Sequence, residues 1–188
     1  MHKIKIVALG DSITQGFPFS EDDSWVFIVS KKLNIPIVNR GICGDYTSGM
    51  FMRFKRDVVT LNPHTVTILG GYNDAFSGIE CEKVAGNLSG ICTAAREHNI
   101  KPILCLPTPV TIPSVEQILQ EYRNWINDYA FKNSIPIIDF YKTFIDSKNK
   151  TIIPDTTTDG AHPTIKGYKL MATAVELNKI FPISSFDD

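Results

Sequence analysis

Apolar residues are distributed along this chain in two alternating patterns. Short, nearly continuous runs rich in β-branched residues occupy positions 4–9, 37–39, 65–69, 102–106 and 135–138. The first, third and fourth are apolar almost throughout, which is how strands covered on both faces read. Between the runs, apolar side chains recur three and four positions apart. Trp25, Ile28, Val29 and Leu33 line one such face, and Val84, Leu88, Ile91, Cys92 and Ala95 line another. The longest stripe is Val115, Ile118, Leu119, Tyr122, Trp125, Ile126 and Tyr129; the last is Tyr168, Met171, Ala172 and Val175. Strands alternating with core-facing helices predict an α/β fold with a parallel sheet. Residues 146–158 are polar and aperiodic, and are expected to form a loop over part of the sheet's rim. The tail 184–188 is expected to fray.

This topology brings particular residues together. Right-handed crossovers put the C-terminal ends of parallel strands on one edge, and ligands bind outside that edge. Gly10-Asp11-Ser12 follows the first predicted strand, residues 41–47 the second, residues 70–74 the third, and Pro107-Thr108-Pro109 the fourth. The turn carrying Asp159 and His162 precedes the last helix.

A length of 188 residues suits one domain, 1–188, with a substantial core. With 43% hydrophobic and 21% charged residues the chain has a globular composition, not a disordered one. Its formal net charge of -1 leaves no basic excess for nucleic acid. Cys43, Cys81, Cys92 and Cys105 form no C-x-x-C pair and have no histidine at zinc-ligand spacing, so free thiols are expected and no metal site. That cysteine usage fits a cytosolic protein. The apolar stretch at the N-terminus is too short for a signal peptide, and no window approaches the ~20 apolar residues of a membrane span. The expectation is a soluble, cytoplasmic protein.

The candidate chemistry centres on Ser12. A serine hydroxyl becomes a useful nucleophile when an imidazole takes its proton and a carboxylate holds that imidazole in place. Asp159 precedes His162 by three residues in a Gly-containing turn closed by Pro163. That spacing brings a carboxylate to one ring nitrogen and leaves the other facing outward. His2, His64 and His98 lack such an arrangement and are expected to face solvent. Asn73, after a buried strand, is a candidate amide donor to an oxyanion, and Gly44 lets a backbone N–H approach a ligand. Simpler roles exist for each. Ser12 suits a helix cap, while Gly44 and Asn73 suit turns. Ser12, Thr14 and Gly16 also suit a phosphate-binding loop, although G-x-G-x-x-G and a P-loop lysine are absent. Thr14 stands where the G-x-S-x-G elbow needs glycine, which disfavours an α/β-hydrolase assignment.

Taken in order, these blocks resemble the SGNH hydrolases, also called GDSL-type esterases and lipases. The matching residues are Ser12 in Gly10-Asp11-Ser12, Gly44 in the second block, Asn73 in Gly71-Tyr72-Asn73-Asp74, and His162 in Asp159-Gly160-Ala161-His162. The resemblance spans residues 4 to about 180, and Ile13 stands where the family's alternative name has leucine. It implies a flavodoxin-like three-layer α/β/α sandwich with a five-stranded parallel sheet ordered 2-1-3-4-5. It further implies Ser12 as nucleophile, His162 as base and Asp159 as its orienter. The implied oxyanion hole is made of the Ser12 and Gly44 amides and the Asn73 side chain. The implied reaction is hydrolysis of a carboxylic ester through an acyl-enzyme, with no metal or organic cofactor.

The family takes acyl-glycerols, lysophospholipids, thioesters and acetylated sugars. This chain has no long apolar insertion to form a lipid-binding lid, so a small, soluble, short-acyl ester is expected. A lysophospholipase- or thioesterase-type lipolytic enzyme is the alternative within the family. A non-catalytic phosphate- or nucleotide-binding module is the alternative outside it. The residues flanking the rim motifs, and so expected to wall the pocket, are Asp11, Tyr46, Met50, Tyr72, Phe76, Pro107, Thr108, Pro109 and Val110.

Overall fold

The computed structural model describes residues 6–175. Residues 4 and 5 of the predicted first strand, His2 and the 184–188 tail lie outside the described residues. In chain order the elements are β1 (Ile6–Gly10), α1 (Ser12–Gln15), α2 (Trp25–Leu33), β2 (Ile37–Gly41), α3 (Thr47–Asp57), β3 (Thr65–Leu69) and α4 (Tyr72–Phe76). There follow α5 (Cys81–Glu97), β4 (Lys101–Leu106), α6 (Pro113–Lys132), β5 (Ile137–Asp139), α7 (Phe140–Thr143) and α8 (Ile165–Ala174).

The strands form one sheet in the order β2-β1-β3-β4-β5, with every pairing parallel. Every residue of β1 and β3 is buried, in keeping with their largely apolar sequences, with Thr65 and Thr67 the buried polar exceptions, whereas β2 on the edge is half-buried throughout. The chain runs from β1 to β2 in one direction and from β3 through β4 to β5 in the other. Right-handed crossovers therefore send the connecting helices to opposite faces. Helices α2, α7 and α8 pack together, as do α3, α5 and α6. Trp25 on α2 meets Phe140 at 5.1 Å between ring centroids. Fully burying an aliphatic or aromatic side chain of this kind contributes about 1.5–3 kcal/mol.

Local signals set several helix starts. The Ser24 hydroxyl accepts from the Phe27 amide to cap α2, the Thr164 hydroxyl accepts from the Gly167 amide to cap α8, and Pro113 opens α6.

Three features depart from the sequence reading. Helix α3, like the short helices α1, α4 and α7, is absent from the predicted elements. Its buried face is Thr47, Met50, Arg53 and Phe54, so polar residues fill two of the core-facing positions and thin the apolar stripe. Residues 146–158 do form an irregular segment, but it buttresses α8 and contributes nothing to the cavity beside Ser12. The Thr156 carbonyl accepts from the Thr164 amide (3.0 Å), and the Pro154 carbonyl accepts from Lys166 Nζ (2.8 Å). His64 is half-buried, not solvent-facing, because it leads directly into β3 and its carbonyl accepts from the Lys101 amide. His98 is exposed as expected.

Candidate active site

The site begins where β1 ends. At Asp11 the chain leaves the sheet, and Asp11 Oδ1 accepts from the Ile13 amide at 3.0 Å, capping α1. This turn sets Ser12 at the first position of α1, where a helix has no internal acceptor for its amides. Asp11 is completely buried, and burial pushes its carboxyl up to about 7 against the pull of the Ile13 amide. The neighbouring charges of Asp45 and Asp74 push it further in the same direction.

Ser12 Oγ lies 3.1 Å from His162 Nε2. On the far side of the ring, His162 Nδ1 lies 2.7 Å from Asp159 Oδ2. An ionised carboxylate only accepts, so Nδ1 carries the proton and Nε2 is left to accept from the serine hydroxyl. Asp159 Oδ1 accepts from the amides of Ala161 (3.0 Å) and His162 (2.8 Å). Burial is the largest influence on the Asp159 carboxyl and pushes it up. The bonds from the His162 ring, the His162 amide and the Ala161 amide together outweigh it, so the group sits below its ordinary value.

Two backbone bonds hold this turn from outside. The Thr111 amide donates to the Gly160 carbonyl (2.8 Å), and the Thr158 amide donates to the His162 carbonyl (2.8 Å). The ring of Phe17 meets the imidazole edge-on at 4.8 Å.

Asn73, on α4 after β3, lines the cavity beside Ser12, whereas Gly44, in the loop after β2, is not among the residues lining it. Gly44 has φ +75°, a left-handed conformation that favours glycine. Asn73 Nδ2 donates to the Asp45 carbonyl at 2.9 Å, which orients the amide and leaves its second hydrogen for a ligand. Asp74 anchors the turn behind Asn73 by accepting from the Thr47 amide (3.0 Å) and the Thr47 hydroxyl (2.7 Å). A cavity of about 250 Å³ opens where Ser12, Asn73, Asp159 and His162 converge, and its apolar walls are Ile13, Tyr72, Phe76, Ile112 and Ala161.

Of the nine residues expected to wall the pocket, Tyr72 and Phe76 line this cavity. The other seven do not. Asp11, Thr108 and Val110 are buried beneath it, and Met50 belongs to the core under Gly70. Tyr46 turns to the surface, its hydroxyl 2.8 Å from Ser77 Oγ. The Pro107–Val110 stretch faces inward: the Pro107 carbonyl accepts from Arg123, the Thr108 amide donates to the Tyr72 hydroxyl, and the Val110 amide donates to Glu116. Pro109 lies buried in the same stretch, so after β4 the chain does not meet the cavity until Ile112. Ile13, Ile112 and Ala161 escape the sequence reading. All three lie in or near predicted motifs, but nothing in their types signals a wall.

Among the described residues no cluster of three or more His, Cys, Asp or Glu side chains is placed to hold a metal ion. No helix among them is long and apolar enough to cross a membrane. All four cysteines are free thiols.

Comparison with known proteins points to one family. The sequence model of a family described as the GDSL-like lipase/acylhydrolase family matches residues 8–170. An uncharacterized lipoprotein of Bacillus subtilis, YqeF, is 26% identical over 93% of this chain and 89% of its own length. An acetylxylan esterase of Geobacillus stearothermophilus is 24% identical over 78% of this chain and 73% of its own. The crystal structure of a GDSL-like lipase from Bacteroides thetaiotaomicron superposes with a TM-score of 0.78 at 28% identity, covering 93% of this chain and 86% of the other.

Proposed function

We propose that this chain, which belongs to the GDSL-like lipase/acylhydrolase family, is a serine esterase that cleaves small carboxylic esters through an acyl-enzyme on Ser12. The observation that carries this reading is the unbroken relay from Ser12 Oγ through His162 to Asp159, at 3.1 and 2.7 Å.

The chemistry follows from which atoms hold protons. As Ser12 Oγ attacks the ester carbonyl carbon, its proton passes to His162 Nε2. The imidazolium so formed is stabilised by the Asp159 carboxylate, which remains ionised. The carbonyl oxygen becomes an oxyanion and accepts from the Ser12 amide, the Gly44 amide and Asn73 Nδ2. His162 then gives its proton to the departing alcohol oxygen, leaving Ser12 acylated. Water enters, loses a proton to His162 and attacks the acyl carbon. Collapse of the second tetrahedral intermediate returns the proton to Ser12 Oγ and releases the acid.

A cavity of about 250 Å³ with apolar walls supports a short acyl group, and kinship with an enzyme named acetylxylan esterase supports acetyl in particular. The phosphate-loop alternative leaves Asp159 and His162 without a role. A p-nitrophenyl ester series tests the reading. Turnover is expected to peak at acetyl to butyryl and to vanish in Ser12→Ala. A peak at long chains overturns the short-acyl preference, and full activity in Ser12→Ala overturns the mechanism.

A further inference from the structure

We propose that Arg53 is a positioning residue for ester hydrolysis, because one guanidinium ties the end of β1, which leads into the Ser12 turn, to Asp45, the residue whose carbonyl holds the Asn73 side chain. The inference rests on the esterase reading and adds a residue outside the relay and its donors.

Arg53 lies on α3 with its side chain 8% exposed. Its Nη2 donates to the Gly10 carbonyl at 2.9 Å, at the end of β1 and two residues before Ser12. Its Nε donates to Asp45 Oδ2 at 2.7 Å, one residue beyond Gly44. The main-chain carbonyl of that same Asp45 accepts from Asn73 Nδ2 at 2.9 Å. A third bond, Nη1 to Asp57 Oδ2 at 2.9 Å, holds the guanidinium from its own helix. The guanidinium thus joins the end of β1 to the loop after β2 through donors of fixed relative position, and the main-chain carbonyl of that loop's Asp45 in turn holds Asn73 on α4.

Helix packing alone does not account for an arginine here. Desolvating a charged side chain is costly, and an apolar residue fills such a position as well or better. Two of the three bonds run instead to residues bracketing the oxyanion donors. Gly49 is a second, independent sign that Asp45 is held in place. A Cβ at Gly49 would lie 2.0 Å from Asp45 Oδ1, so the helix is cut away to admit the carboxylate that Arg53 grips. Misplacing a catalytic group by about 1 Å costs on the order of a hundredfold in rate.

Two variants test this. Arg53→Lys keeps the charge but loses the fork. Gly49→Ala leaves Arg53 intact, favours the helix intrinsically and displaces a carboxylate end, not backbone, so it is expected to fold even where Arg53→Lys does not. Active sites are counted by titration with a fluorophosphonate, and kcat is expressed per titrated site. The expected result is a kcat lower by about 10- to 100-fold with KM changed less than about threefold, because oxyanion bonds form fully only in the transition state. Affinity for a boronic acid that forms a tetrahedral adduct falls by the same factor. A folded Gly49→Ala or Arg53→Lys with kcat per site and boronate affinity within about twofold of the parent overturns the proposal, even where the melting temperature drops. Ser12→Ala, assayed in parallel, separates the two claims: turnover in that variant removes the esterase reading, whereas its loss beside intact Arg53 and Gly49 variants removes only the role of Arg53.

Discussion

Ser12 and His162 stand 150 positions apart in the chain, yet Ser12 Oγ and His162 Nε2 lie 3.1 Å apart. The parallel sheet produces this meeting. Ser12 follows the C-terminal end of β1, and the turn before α8 returns His162 to the same rim, where the Thr111–Gly160 backbone bond fixes its height. A serine, a histidine and an aspartate, separately ordinary, thereby form one hydrogen-bonded line.

Asp159 holds the imidazole tautomer through Nδ1, and this has a measurable consequence. Asp159→Asn is expected to lower kcat by about 10²–10⁴-fold with the protein still folded. Steady-state kinetics and circular dichroism check it.

Asn73 reaches the cavity with one hydrogen committed to the Asp45 carbonyl. Asn73→Ala is expected to reduce kcat by about 10²–10³-fold, with KM nearly unchanged. Equal losses in binding of substrate and of transition state would instead show a ground-state contact.

Asp11 makes stability depend on pH. Burial raises its folded-state value from 3.8 to about 7. Between those values the folded chain keeps a proton that the unfolded chain has lost, so stability falls as pH rises through the window and the loss is complete above it. Asp11→Asn keeps an oxygen for the Ile13 amide and cannot ionise. Its melting temperature relative to the parent is expected to be higher at pH 8 than at pH 5, compared by calorimetry. A constant difference, or one of opposite sign, contradicts this account.

Much of this architecture was legible in the residues. The apolar runs marked β1, β3 and β4 because strands covered on both faces have few polar positions, here Thr65 and Thr67 in β3 and Lys101 at the start of β4. The four helical stripes were readable because each has an almost wholly apolar face. Helix α3 was not, since Thr47 and Arg53 face inward for polar reasons that only Asp74, Asp45 and the Gly10 carbonyl reveal. The chemical groups of the site were legible because Ser, Asn, Asp and His signal chemistry by type. The pocket walls were not, because Met50, Ile112 and Ala161 are told apart only by the direction in which the backbone aims them.

Ile112 and Phe76 are partly exposed where they wall the cavity. Ile112→Ala is expected to move the optimum of an ester series toward longer acyl chains, with each added methylene gaining roughly 0.8 kcal/mol at most. An unchanged optimum would place the acyl group elsewhere.

The most direct test of the proton path is labelling by a fluorophosphonate followed by peptide mass spectrometry. One adduct per chain is expected on Ser12, with p-nitrophenyl acetate turnover lost in step, no adduct in Ser12→Ala and greatly slowed labelling in His162→Ala. An unlabelled but folded protein, or an adduct on another residue that abolishes turnover, contradicts the account.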